Sequence, residues 1–111
     1  MVDDNKFKFQ EIISALIAGT RGGKVIWDWN SKSRSATANF MSGRLVVSKD
    51  RDFDTVLEIQ NSARETIERI NTGYVRWSVL KTDADKLYEL ARRAALGVDS
   101  TLEALLREIS E

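Results

Sequence analysis

The side chains that could carry chemistry in this chain are carboxylates, lysines, arginines and aromatic rings, because its 111 residues include neither cysteine nor histidine. Without thiols, the chain forms no disulfides and has no thiolate nucleophile or metal ligand. Without imidazole, it lacks the commonest general base and the commonest metal ligand. We therefore expect no metal and no structural zinc site.

Paired carboxylates are the remaining route to acid–base catalysis. Asp28 stands between two tryptophans, and Glu58 falls on the polar side of a later predicted strand, but nothing in their spacing selects them as a pair. A serine–lysine dyad in segment 31–33 would lie on an exposed turn, without the donors that an oxyanion hole requires. We predict that the protein is not an enzyme and uses no cofactor.

Two loops carry weak resemblances to ligand-binding motifs. Asp50, Asp52 and Asp54 alternate as in part of a calcium loop, but the later glycine and the twelfth-position glutamate of an EF-hand are not in register. Gly22 and Gly23 follow a predicted helix, whereas a phosphate-binding loop follows a strand and has the pattern GxxxxGK[ST]. We interpret both segments as turns.

Aromatic and arginine side chains form the candidate binding surface. Aromatic faces combined with guanidinium groups can hold a nucleobase and a phosphate. The residues concerned, which neighbouring predicted elements carry, are Trp27, Trp29, Arg44, Arg69, Tyr74, Arg76 and Trp77. Packing of the tryptophans between a sheet and its helices is the competing interpretation, and contact with a partner protein is a third.

The charge balance limits the classes of partner. Lysine plus arginine equals aspartate plus glutamate, with 17 of each. A neutral total argues against a general binder of nucleic acid or anionic membrane, although a local basic patch is compatible with it. No apolar run approaches membrane-spanning length, and the first residues lack a signal-peptide core, so we expect a cytoplasmic protein.

The elements that must position these residues begin and end with helices. Apolar side chains at three- and four-residue steps predict one helix over 6–20 and another starting near Asp83. Gly97 can end the latter, and Ser100 with Glu103 fits a capping box for a further helix. We predict two C-terminal helices, with one kinked helix as the alternative. The apolar face of the last helix comprises Leu102, Leu105, Leu106 and Ile109.

Alternating apolar and polar residues predict a run of strands between the helices. These strands are predicted over 24–30, 35–41, 44–49 and 55–61. Segment 62–71 is ambiguous, because Ser62 and Glu65 fit a capping box while β-branched Thr66 and Ile67 favour a strand. We prefer a hairpin partner strand here. Residues 74–79 alternate again, which predicts a last strand or an extended lead into the helix.

Residues 1–111 therefore predict a single α+β domain. We expect an antiparallel β-meander of four to six strands, flanked by an N-terminal helix and by one or two C-terminal helices packed on the sheet. If all helices cover one sheet face, apolar residues of the other face need solvent or a second chain. The residues assigned to that other face are Ile26, Met41, Val46 and Val56.

Two terminal segments carry a resemblance to known proteins. The first is FxxxIxALIAGT, which begins at Phe9 and leads into GGKVIW; the second is LYELARRAALGVDSTLEALLREI, which begins at Leu87. They resemble a recurrent set of small uncharacterised bacterial and phage-borne proteins with an αβββββα layout. The resemblance implies that layout and a bacterial or phage context, and it assigns no activity and no site residue.

The function that these observations favour is a non-enzymatic protein-interaction module of bacterial or phage origin, which forms a homodimer or binds another protein. The alternative is a protein that sequesters a small molecule or nucleotide in an interfacial pocket of tryptophan and arginine side chains. Nucleic-acid binding is a further alternative, which requires the arginines to cluster despite the neutral total.

Overall fold

The computed structural model describes residues 4–73 and 78–110, with side chains for 8–73 and 81–110. It confirms the α+β fold: a helix, a five-stranded antiparallel meander and two C-terminal helices. The elements are α1 (Asp4–Arg21), β1 (Asp28–Asn30), β2 (Ser35–Phe40), β3 (Gly43–Lys49), β4 (Thr55–Asn61), β5 (Thr66–Asn71), α2 (Ser78–Leu96) and α3 (Val98–Ser110).

The core lies between one face of the sheet and helices α1 and α2. Strand pairing aligns one row of side chains on this face, namely Trp29, Ala36, Val47, Leu57 and Ile70. Helix α1 adds Ile13 and α2 adds Leu87, both almost fully buried. Leu90, which the helical periodicity of the sequence places on the same apolar face, is only half-buried, because Leu87 and Ala91 take the positions that face the sheet.

Strand β1 is shorter than the predicted strand over 24–30. The first residues of the predicted strand instead form the hydrogen bonds that terminate α1. The backbone amides of Lys24 and Val25 donate to the carbonyl of Gly19, at 2.8 and 3.1 Å. A Cβ on Gly19 would lie 2.6 Å from the Val25 side chain, so glycine permits this close approach. These amides are thus used at the C-terminus of α1, and pairing with β2 starts at Asp28.

The ambiguous segment forms the predicted hairpin, although its turn contains no glycine. The side-chain oxygen Oδ1 of Asn61 accepts hydrogen bonds from the amides of Ala63 and Glu65, at 2.9 and 3.0 Å. Arg64 takes the left-handed conformation at φ 65° that a glycine would take more readily. The hydrogen bonds of the Asn61 side chain therefore stabilise this turn, in which the sequence pattern would lead one to expect a glycine.

The C-terminal segment forms two helices, as predicted, and the break falls at Gly97. This residue adopts φ 63°, and its amide donates to the carbonyl of Ala94 at 3.2 Å. Helix α2 starts at Ser78, earlier than the predicted start near Asp83. Residues 74–77 of the predicted last strand lie outside the described residues, and 78–79 belong to α2.

The opposite face of the sheet is mainly polar. One row across it runs Thr37, Val46, Glu58 and Arg69. Ile26 and Met41, which the sequence assigned to this face, lie outside the strands and are exposed, whereas Val56 is buried and Val46 is half-buried. This face therefore carries little apolar surface that would need a second chain.

Candidate functional site

The two described tryptophans of the predicted binding surface belong to the packed side of the sheet. Trp27 is 4% exposed, and its Nε1 donates to Thr20 Oγ1 at 2.8 Å, which satisfies its polar atom within the fold. Trp29 meets Tyr88 edge to face, with ring centroids 6.2 Å apart. Arg92, which the sequence prediction did not include, lies 5.7 Å from the Trp29 ring centroid. Its four-residue spacing from Tyr88 on one helix face is the signal that could have found it.

The two described arginines of that predicted surface lie on the opposite face of the sheet. The Nε of Arg44 donates to Gln60, and the Nε of Arg69 donates to Glu58 at 3.2 Å. The sheet therefore separates these guanidinium groups from Trp27 and Trp29 instead of joining them in one pocket. Tyr74, Arg76 and Trp77, the remaining members of the predicted surface, lie outside the described residues.

The carboxylates considered for catalysis are far apart. Asp28 pairs with Thr37, which pairs with Val46, which pairs with Glu58. Three strand spacings separate the two acids, which is about 14 Å. Two carboxylates that work together on a glycosidic bond lie roughly 5–9.5 Å apart. This pair therefore lacks the geometry for shared acid–base chemistry.

The loop with three aspartates is closed around Asp50. Its Oδ1 accepts the amides of Asp52 and Asp54 at 2.9 and 3.0 Å, and its Oδ2 accepts the side-chain amide of Asn71 at 2.8 Å. The Asn71 amide lowers the pKa of Asp50 below its usual value, and the two backbone amides act in the same direction. Carboxylate oxygens of the three aspartates lie within 4.8 Å of one another, so they are the residues that could hold a cation.

A polar cluster of Lys49, Thr55, Asp85 and Tyr88 ties α2 to the sheet. The fully buried Thr55 hydroxyl donates to Asp85 and accepts from Lys49 Nζ at 2.7 Å. Lys49 Nζ also lies 3.2 Å from Asp85 Oδ1 and 5.1 Å from the Tyr88 ring centroid. Burial raises the pKa of Tyr88. The Thr55 hydroxyl is the group that could act as a nucleophile here, but it is buried and already makes two hydrogen bonds. The cluster therefore serves to position α2.

Shallow depressions at the β2–β3 turn and beside α1 are too small for most ligands. Three of them measure about 260, 220 and 180 Å³. The largest of the three is bordered by Phe40, Leu45, Ile59 and Ile67. Small-molecule sites usually enclose roughly 300–1,000 Å³. None of these three depressions therefore has the volume typical of a dedicated small-molecule site.

Helix α3 carries four of the ten large hydrophobic side chains that are exposed in the described chain. None of its thirteen residues is buried, and among the described elements it contacts α2 alone. Its exposed apolar side chains are Leu102 (54%), Leu105 (46%), Leu106 (65%) and Ile109 (80%). Their spacing puts all four on one face of the helix. We call this set the α3 stripe.

The sequence positions the α3 stripe through the break that precedes it. Gly97 ends α2 at a left-handed φ, and its carbonyl accepts the amide of Thr101 at 3.0 Å in the first turn of α3. Arg93 donates to Asp99 at 2.6 Å across the break. This ion pair is solvent-exposed and adds little stability. The turn directs α3 away from the sheet and leaves its apolar face without cover from the described elements.

Comparisons with known proteins were made at three levels. A scan against protein-family models, a search of curated proteins and a search of solved structures found no match. Within the described residues, no helix has the length and the apolar character needed to cross a membrane.

Proposed function

We propose that the protein is a non-enzymatic interaction module that self-associates through the α3 stripe. The observation that carries this proposal is a thirteen-residue helix with four large exposed aliphatic side chains on one face and no buried residue. Isolated helices shorter than about 12–15 residues are marginal in water. A partner that covers the stripe would therefore stabilise α3 as well as bury apolar surface.

The size of the stripe sets the strength of the contact. Complete burial of an aliphatic side chain contributes about 1.5–3 kcal/mol, so the exposed fractions of these four would contribute about 4–7 kcal/mol per copy. Two copies would contribute about 7–15 kcal/mol, similar to the ~4–15 kcal/mol that association costs. We therefore expect a weak, concentration-dependent association through α3, with a dissociation constant on the order of micromolar or higher.

Two sets of described polar residues that could carry chemistry support a binding role over catalysis. The Lys49–Thr55–Asp85 cluster is bonded within the fold, and Asp28 and Glu58 lie on well-separated strands. The resemblance of the two terminal segments to bacterial and phage-borne proteins supports a module of such origin.

The test is size-exclusion chromatography with light scattering at several concentrations. The wild-type chain should exceed its monomer mass of 12.6 kDa as the concentration rises from the micromolar to the millimolar range. Leu105→Glu should remain monomeric, because it puts a charge in the middle of the stripe. Ser100→Glu, on the opposite side of α3, adds the same charge and should behave as wild type. A wild-type chain that stays monomeric up to millimolar concentration would overturn the proposal.

A further inference from the structure

Three residues of the α3 stripe have, together with Val98, the spacing of a short helix–helix seam. Val98, Leu102, Leu105 and Ile109 follow one another at steps of four, three and four residues. These steps are those of the core positions in a seven-residue repeat, which face a second helix when two helices pair. Val98 is half-buried, and the other three side chains are exposed. The seam is therefore present in the sequence and has no partner among the described elements.

A second copy of this chain offers a matching seam. If two α3 helices pair in opposite directions, Leu102 lies opposite Leu105 of the second copy, and Val98 lies opposite Ile109. The flanking positions then bring Asp99 beside Leu106 and Thr101 beside Glu108. No two acids face each other across the seam, and the Thr101 hydroxyl can donate to the Glu108 carboxylate. The charges that border the stripe are thus compatible with an antiparallel pair.

The shape of the chain also favours the antiparallel direction. The chain measures 61 × 31 × 27 Å, and among the described elements α3 contacts only α2. Paired helix axes lie about 8–10 Å apart. A parallel pair would bring both sheet-bearing bodies to the same end of the seam, where they would compete for space beside closely spaced axes. An antiparallel pair puts them at opposite ends of helices that are about 20 Å long.

We infer that the partner of the α3 stripe is a second copy of this chain, bound through an antiparallel α3–α3 contact with twofold symmetry. This inference rests on the proposed function, since it names the partner and the geometry of the same surface. A twofold contact uses one patch twice, so each seam residue has its equivalent on the second copy. It also closes the assembly at two chains.

The absence of native cysteine permits a direct test by disulfide formation. Val98→Cys and Ile109→Cys are prepared separately and then mixed under mild oxidation. In the antiparallel pair, the two different cysteines are neighbours, whereas identical cysteines are about 16 Å apart along the seam. A disulfide needs Cβ atoms roughly 3.5–4.5 Å apart. The mixture should therefore give at least tenfold more cross-linked dimer than either variant alone.

The matched control is a mixture of Ser100→Cys and Arg107→Cys, which have the same axial relation but lie on the outer side of α3. This mixture should not cross-link. Cross-linking of each seam variant with itself would show a parallel pair and overturn the inference while the proposed function stands. The same holds if no seam variant cross-links although light scattering detects a dimer that Leu105→Glu abolishes, because α3 would then bind another surface. A chain that light scattering shows to be monomeric overturns the proposed function itself.

Discussion

Replacement of two leucines in the C-terminal helices separates core packing from surface exposure. Leu87 of α2 is fully buried against the sheet, and Leu106 of α3 is 65% exposed. Leu87→Ala should reduce the free energy of unfolding by about 2–5 kcal/mol, because it removes buried methyl groups and leaves a cavity. Leu106→Ala should change it by less than about 0.5 kcal/mol in the monomer. The same leucine-to-alanine substitution is thus expected to change the free energy of unfolding by very different amounts at the two positions.

The assay is urea unfolding followed by circular dichroism, at a concentration low enough to keep the chain monomeric. Both variants should keep the wild-type dependence of free energy on urea, so that midpoint shifts report stability. A shift below about 0.5 kcal/mol for Leu87→Ala would refute the packing of α2 on the sheet. An equally large loss for Leu106→Ala would show that α3 is packed within its own chain, and the stripe would then not be free for a partner.

Three further predictions concern the loops. Asn61→Ala should cost about 1 kcal/mol in urea unfolding, because two turn amides lose their acceptor, whereas the exposed Asn39→Ala should be nearly neutral. Removal of divalent cations with EDTA should leave the melting temperature unchanged, and a fall of several degrees would identify the loop at Asp50 as a cation site. Because the pKa of Asp50 is lowered in the folded state, its ionised carboxylate stabilises the fold. This contribution to the free energy of unfolding is complete above the unfolded-state pKa and is lost as the pH falls through the lower folded-state pKa. Asp50→Asn should therefore weaken the acid dependence of stability as the pH falls below the usual aspartate pKa of 3.8, and an unchanged pH profile would contradict this assignment.

Local pattern was sufficient for most of the elements. Gly97 marks the break between the C-terminal helices because its backbone conformation is intrinsic to glycine, and alternation places β4 over Thr55–Asn61 as observed. The start of β1 was not predictable in this way. Lys24 and Val25 have strand-like sequence, but their amides are taken by the carbonyl of Gly19, a contact that depends on the chain reversing after α1. The strand propensity of the residues carries no information about these hydrogen bonds to Gly19.

The candidate binding residues were less predictable because the side of the sheet decides which of them meet. Trp29 on β1 and Arg44 on β3 are close in the sequence, but strand register places them on opposite faces. Arg92 reaches Trp29 from a helix more than sixty residues further along the chain. The apolar face of α3 was visible in the sequence, whereas its exposure depends on the direction in which α3 leaves α2. Periodicity gives the face of a helix and not what covers it.

Hydrogen exchange of the wild-type chain at two concentrations tests self-association through α3 most directly. At low concentration, backbone amides of 98–110 should exchange fast, since α3 has no buried residue and is short. At concentrations above the dissociation constant, the same amides should become protected by at least tenfold, while amides of the sheet core keep their protection. Equal exchange of α3 at both concentrations, or a concentration effect confined to other segments, would contradict the proposed role of the α3 stripe.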